Sequence, residues 1–157
     1  MDSQYKYFLF SEFDSRKGSL DNNVDTYFNG STYITDSGKN NFSPETLKKL
    51  DDARDIIERE WNIFNSGKII FKINSGFRTV SRNADEGGVV NSAHTVNTTD
   101  RKKSRAADIS WVNYNQQQKD FIIYALKKVG FNRFGIASSF VHVDNDMTKP
   151  QNATWYY

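Results

Sequence analysis

The chain holds two histidines and no cysteine in 157 residues, so any transition-metal chemistry must run through His94 and His142. They stand in two short segments. One is Asn91-Ser92-Ala93-His94, leading on to Arg105-Ala106-Ala107-Asp108-Ile109; the other is Phe140-Val141-His142-Val143-Asp144. Catalytic zinc takes about three protein ligands and keeps one position open for water, a requirement met by two imidazoles and one carboxylate. His94, Asp108 and His142 can meet it if the strands carrying Asp108 and His142 are neighbours and the His94 loop folds over them. A carboxylate beside such an ion commonly accepts the proton of water. Asp144 is nearest in sequence, with Asp85 and Glu86 in reserve. On spacing alone, a His-x-Asp pair on a strand is more often a surface hydrogen-bonded pair than a metal site, and Asp144 is equally a candidate for orienting an imidazole.

Elements able to position these groups can be read along the chain. Ser43-Pro44 starts a helix, serine capping free amides and proline suiting the first helical position. Leu47, Leu50, Ile57, Trp61 and Phe64 then form an apolar stripe that ends before Gly67. Residues 68–74 read as a strand delivering Ser75-Gly76-Phe77-Arg78-Thr79, and Gly87-Gly88 permits a turn before the first histidine. The polar stretch 95–104 reads as an inserted loop, and 105–111 as a strand carrying Asp108. A second helix fits 116–129, stopped by Gly130. Residues 131–136 and 139–143 then read as paired strands. Side chains alternate along a strand, so Phe140, His142 and Asp144 share one face while Val141 and Val143 meet the opposite layer. Upstream, 5–13 is a short strand or an anchoring segment, and 14–41 a long loop with a possible hairpin. Trp61, Trp111, Trp155, Tyr156 and Tyr157 are assigned to aromatic packing, although the last three and Trp111 are also candidates for lining a cleft.

Composition excludes several classes. With 37% hydrophobic and 15% aromatic residues, the chain suits one globular domain with a real core. Its net charge of +2 implies no general attraction to nucleic acid or membrane. The amino-terminal residues lack a basic segment followed by an apolar run, and no window approaches membrane-spanning length, so synthesis in a cytoplasm without a signal peptide is expected. Without cysteine there is no disulfide framework or thiolate zinc site, and the sequence says nothing about oligomeric state.

Several ordered motifs together carry a resemblance: Ser-Gly-Phe-Arg-Thr, Gly-Gly-Val-Val-Asn-Ser-Ala-His, Arg-Ala-Ala-Asp-Ile and Phe-Val-His-Val-Asp. This run resembles the zinc D-alanyl-D-alanine peptidase family, and most of all its short carboxypeptidase-like domains from bacteria and phages. The likeness spans roughly 42–146, with 1–41 as an amino-terminal extension, although Phe10-Ser11-Glu12-Phe13 also looks like the start of such domains. It implies that His94, Asp108 and His142 are zinc ligands, that Arg78 stabilises a carbonyl or carboxylate oxygen of substrate, and that Ser92 donates a hydrogen bond to it. A guanidinium fork suits that task, and its competing role is a structural ion pair. Relatives commonly place the first histidine seven residues before the aspartate, whereas here the two lie fourteen apart. Ser104 stands nearest the place of a small family glycine. Many relatives also carry an acid a few positions before the last ligand, where this chain has Ala137-Ser138-Ser139. The loop's Asp100-Arg101-Lys102-Lys103 is a candidate contact for an anionic wall polymer.

The resulting expectation is a single α+β domain over 1–157, with a mostly antiparallel central sheet, flanking helices and one zinc ion on the sheet face. The expected reaction is hydrolysis of a peptide bond in peptidoglycan stem peptides, by a carboxypeptidase or an endopeptidase, in a phage lysis, virion-associated or bacterial protein. Asp144 is expected to act as the base, with Arg78 and Ser92 holding the peptide. The alternative is a zinc-stabilised wall-binding or virion structural module without hydrolysis. A metal-free structural domain is the third possibility.

Overall fold

The computed structural model describes residues 5–8, 10–13, 25–28, 33–36, 42–78, 80–96 and 103–157. The first helix, α1 (Pro44–Ile57), begins where its caps require: the Ser43 hydroxyl accepts from the Thr46 amide at 3.2 Å, and Pro44 opens the first turn. Leu47, Leu50 and Ile57 are fully buried along it. Beyond Ile57 the chain passes into a π-helical turn, Glu58–Asn62. The wider turn rotates later residues away from the stripe that a 3.6-residue period extrapolates. Phe64, expected on that stripe, is therefore 78% exposed. Trp61 is half-buried, and its indole N–H donates to the Gly67 carbonyl at 2.8 Å.

The second long helix, α3 (Gln116–Lys128), is closed by a reciprocal capping box between Asn115 and Gln118. It buries Ile122, Ala125 and Leu126, packs on α1, and stops before Gly130 at φ +105. A six-residue helix, α2 (Val80–Asp85), not among the elements expected from the sequence, precedes the turn expected at Gly87-Gly88.

Under these helices lies a five-stranded sheet in the order β3 (Ile73–Ser75), β4 (Ala106–Ser110), β6 (Phe140–Asp144), β5 (Arg133–Ile136), β7 (Ala153–Tyr156). Three of its pairings are antiparallel, but β5 and β7 run parallel. The sheet is thus mixed, correcting the expectation of a mostly antiparallel one. The reason is topological: β7 reverses direction after β6 yet docks on the far side of β5, which β6 already opposes. Ala107, Ile109, Val141 and Val143 face the helical core, and the alternate positions Asp108, His142 and Asp144 face away from it. Of the expected 68–74 strand only Ile73 and Asn74 join the sheet, together with Ser75 just beyond it. Farther back, the Ile69 amide is taken by Asn62 Oδ1 at 2.8 Å and the Ile70 amide by the Tyr114 hydroxyl at 2.6 Å.

The amino-terminal stretch is an anchor rather than a strand. Phe10–Phe13 forms a short 3-10 helix, with Phe8 and Phe13 buried in the core. The hairpin suggested within 14–41 is present as β1 (Asp25–Phe28) against β2 (Tyr33–Asp36). The rest of that stretch, Thr79 and residues 97–102 of the inserted loop, including Asp100-Arg101-Lys102, lie outside the described residues. No helix among the described residues is long and apolar enough to cross a membrane.

The anchor presses on the strand that leads to Arg78. Phe13's carbonyl accepts from the Phe77 amide at 2.6 Å, and a Cβ at Gly76 would stand 2.7 Å from the Phe13 Cα and carbonyl oxygen. Backbone cannot swing aside as a flexible side chain can. Gly76→Ala is therefore expected to cost about 1–3 kcal/mol by overpacking. Thermal unfolding of the two proteins checks this, and an unchanged Tm would show that the approach tolerates a methyl group.

Candidate metal centre

Asp108 and His142 are direct cross-strand partners in the β4–β6 ladder, so the condition set by their spacing is met. His94 comes from a turn whose start is made by Asn91 at φ +61. The Ser92 hydroxyl accepts from the His94 amide at 3.2 Å. The turn is held on two sides, since Arg78 N donates to His94 O at 2.9 Å and Arg105 N to Ala93 O at 3.0 Å. These bonds also hold both ends of the inserted loop, so its added length leaves the histidine in place.

Three ligand atoms converge. His94 Nε2 lies 3.2 Å from Asp108 Oδ1 and 3.1 Å from His142 Nδ1, and that nitrogen lies 3.1 Å from Asp108 Oδ1. Zinc–nitrogen and zinc–oxygen bonds of about 2.0–2.1 Å in a tetrahedron separate ligand atoms by about 3.3–3.4 Å. The triangle is within a few tenths of an ångström of that, and all three residues are buried.

The outer atom of each ligand is also engaged, which settles the direction of the inner one. A carbonyl can only accept, so the 2.6 Å contact from His94 Nδ1 to Gly76 O puts the proton on Nδ1 and turns the Nε2 lone pair inward. His142 Nε2 donates to Asp144 Oδ2 at 2.7 Å, leaving Nδ1 inward. Arg78 Nη2 donates to Asp108 Oδ2 at 2.6 Å, leaving Oδ1 inward. Two imidazole lone pairs and a carboxylate oxygen thus share one small space, an arrangement that a bound cation stabilises. The residues fit a zinc ion of the N/O-ligand kind.

The electrostatics follow from burial and pairing. Burial raises the Asp108 carboxyl, but in the absence of a cation the His94 and His142 rings, when protonated, outweigh it through charge and hydrogen bonds and hold it well below the usual carboxylate range. Burial depresses His94, with Asp108 only partly offsetting it. Burial also works to depress His142, but hydrogen bonds to Asp108 and Asp144 lift it above its ordinary value.

The centre opens into a cleft of about 520 Å³ whose lining includes Arg78, Glu86 and Ser92. Asp85 does not line it. Asp144 stands behind the His142 ring as seen from the three ligand atoms and is 1% exposed. Its Oδ2 takes His142, while its Oδ1 accepts from Arg133 Nε at 2.7 Å and from the Asp146 amide at 3.1 Å. Arg78 is in part a structural ion pair: besides Asp108, its Nε bonds Ser75 Oγ at 2.9 Å and lies 3.3 Å from Glu86. Its Nη1 reaches Asn83 Oδ1 only at 3.5 Å. Of the aromatics assigned to packing, Trp111 is 2% exposed in the core, but Trp155 and Tyr157 line the cleft and Tyr156 is 77% exposed. Sequence reasoning missed Arg133 and Lys149. A glycine at 135, opposite His142 in the ladder, was the one local sign of something lying close above the sheet.

The peptidase M15 pattern matches residues 7–144. The chain belongs to the peptidase M15 family. No curated protein and no solved structure gives a match. M15 peptidases are zinc-dependent, which places this protein with the zinc metallopeptidases and agrees with the donor set of the His94–Asp108–His142 group.

Proposed function

We propose that this M15 protein hydrolyses a peptide bond in peptidoglycan stem peptides, with zinc held by His94, Asp108 and His142. The observation that carries the reading is the triangle of ligand atoms, each with its outer atom fixed, at the floor of an open cleft. The chemistry a zinc ion supplies there is Lewis-acid polarisation of a carbonyl and acidification of water. Everything else falls to side chains. Arg78 turns Asp108 through Nη2 and offers the loosely bonded Nη1 edge to a substrate oxygen. Ser92 lines the cleft and its hydroxyl accepts from the His94 amide, which supports it as the donor we assign to the bound peptide.

Asp144 was the sequence candidate for the base. With both oxygens occupied and almost no exposure, it is better suited to orienting His142. Of the cleft carboxylates this leaves Glu86, whose side chain keeps 26% exposure, as the proton acceptor we favour.

Elemental analysis of the purified protein, with mass spectrometry of peptidoglycan fragments incubated with and without zinc, tests the reading. One zinc per chain with zinc-dependent cleavage supports it and identifies the bond. Zinc without cleavage would favour the alternative of a wall-binding module, to which the engaged Asp144 already lends some weight. In the same assay, Arg78→Ala is expected to reduce kcat/KM by about 10–100-fold and to weaken zinc binding as well, because Asp108 loses its partner. Wild-type turnover at saturating zinc would remove Arg78 from substrate binding.

A further inference from the structure

The family match ends at Asp144, yet part of the cleft wall comes from the next thirteen residues, through Lys149, Trp155 and Tyr157. Loop 145–152 is tied directly to the metal centre's supports. Asp146 N donates to Asp144 Oδ1 at 3.1 Å, Thr148 N to Asp146 Oδ1 at 3.0 Å and Gln151 Nε2 to Lys149 O at 2.7 Å, while Arg133 Nη1 holds the Pro150 carbonyl. These bonds place the Lys149 backbone beside the cleft.

The aromatic part of the wall depends on Gly135, which pairs with His142 on one side and Trp155 on the other. A Cβ there would stand 2.6 Å from Trp155 Nε1 and 2.9 Å from Tyr157 Cε2, so glycine lets both rings lie across β5. The Trp155 ring comes within 5.4 Å of the His142 ring, and the Tyr157 ring within 5.4 Å of Phe140. An apolar wall therefore stands directly beside a metal ligand.

Charge decides what this wall would hold. The cleft lining carries the carboxylates Glu86, Asp108 and Asp144 and the cations Arg78, Arg133 and Lys149. Arg78 is engaged with Asp108 and Glu86, and Arg133 with Asp144. The Lys149 ammonium has no ion-pair partner among the described residues. A divalent ion at the centre adds to these balanced charges and makes the cleft attractive to an anion.

We propose that Lys149, with the Trp155–Tyr157 wall, forms a subsite for the free C-terminal carboxylate of a bound peptide. The ammonium meets the carboxylate, and the aromatic rings cover the apolar part of the terminal residue. This subsite makes the protein a reader of peptide ends. The proposal rests on the peptidase reading above, and the test separates the two.

The zinc-loaded full chain is given diacetyl-Lys-D-Ala-D-Ala and the same peptide with an amidated C-terminus. Preference is read as KM where a peptide is cleaved and as Kd by calorimetry where it is not. The free acid is expected to be favoured about fivefold, the scale of one partly exposed ion pair. Lys149→Gln is expected to abolish that preference by raising the KM or Kd of the free acid to that of the amide, with zinc content unchanged. Equal values for the two peptides in the wild type, a preference that survives in Lys149→Gln, or no binding of either peptide would overturn the subsite. Acid-selective binding without cleavage keeps the subsite and removes hydrolysis; zinc-dependent cleavage indifferent to amidation does the reverse.

Discussion

His142→Ala is expected to lose zinc and the stability that zinc contributes, together. A ligand that binds only the folded state stabilises it by RT ln(1 + [L]/Kd), about 2.7 kcal/mol at a hundredfold excess over Kd. For a chain of this size that corresponds to a rise in Tm of roughly 5–10 °C on adding zinc to the wild type. The variant keeps His94 Nε2 and Asp108 Oδ1, which lie 3.2 Å apart, but two ligands do not hold zinc as three do. Its zinc-dependent rise in Tm should vanish. Removing the ring also strips Asp144 Oδ2 of its 2.7 Å donor, so the zinc-free variant should melt below the zinc-free wild type. Thermal unfolding of both proteins with zinc and with chelator separates the two losses. A variant whose Tm still rises with zinc would place the ion elsewhere.

The second large effect concerns Asp144. Asp144→Asn keeps the shape but replaces one carboxylate oxygen with an amide that cannot accept. The side chain faces the His142 Nε2–H on one side and the Arg133 Nε–H on the other, both donors, so one contact must be lost. Arg133 is 7% exposed, and leaving such a charge without its anion costs up to about 3–5 kcal/mol. If the lost contact is His142's, the imidazole is no longer held with Nδ1 toward the centre. Zinc affinity should then fall by about 10–100-fold. Turnover should largely return at saturating zinc, because an orienting residue acts through the metal ligand. A base behaves differently: zinc stays bound at wild-type affinity and turnover remains lost at any zinc concentration. Zinc titration followed by activity on wall peptides distinguishes the roles, and the second outcome would restore Asp144 as the proton acceptor in place of Glu86.

The readable parts of this protein are those decided by local periodicity and by scarcity. With two histidines and no cysteine, His94 and His142 could be named as metal candidates from residue type alone, and the fold brings them together with Asp108 as a group that could hold an ion. Helices α1 and α3 start at Ser43 and Asn115, whose side chains satisfy free amides within one turn. The face shared by His142 and Asp144 follows from the two-residue alternation of any strand, with Val141 and Val143 turned to the core.

Tertiary structure decided most of the rest, because most of those relations join residues far apart in sequence. The partner of His94 Nδ1 is the Gly76 carbonyl, eighteen residues away. The π-helical turn after Ile57 moved Phe64 off its expected face. The second oxygen of Asp144 is taken by Arg133, eleven residues back on the neighbouring strand, a partner that the His142-x-Asp144 spacing does not show. Above all, β7 folds back past β5 and lays Trp155 and Tyr157 over Gly135, turning aromatics that read as core into a wall of the cleft. Residue type and spacing determine which groups are able to do chemistry and which way a strand points them. Which groups remain available is determined by the hydrogen bonds that distant segments make on folding, since a buried donor or acceptor must be satisfied by whatever the fold brings to it.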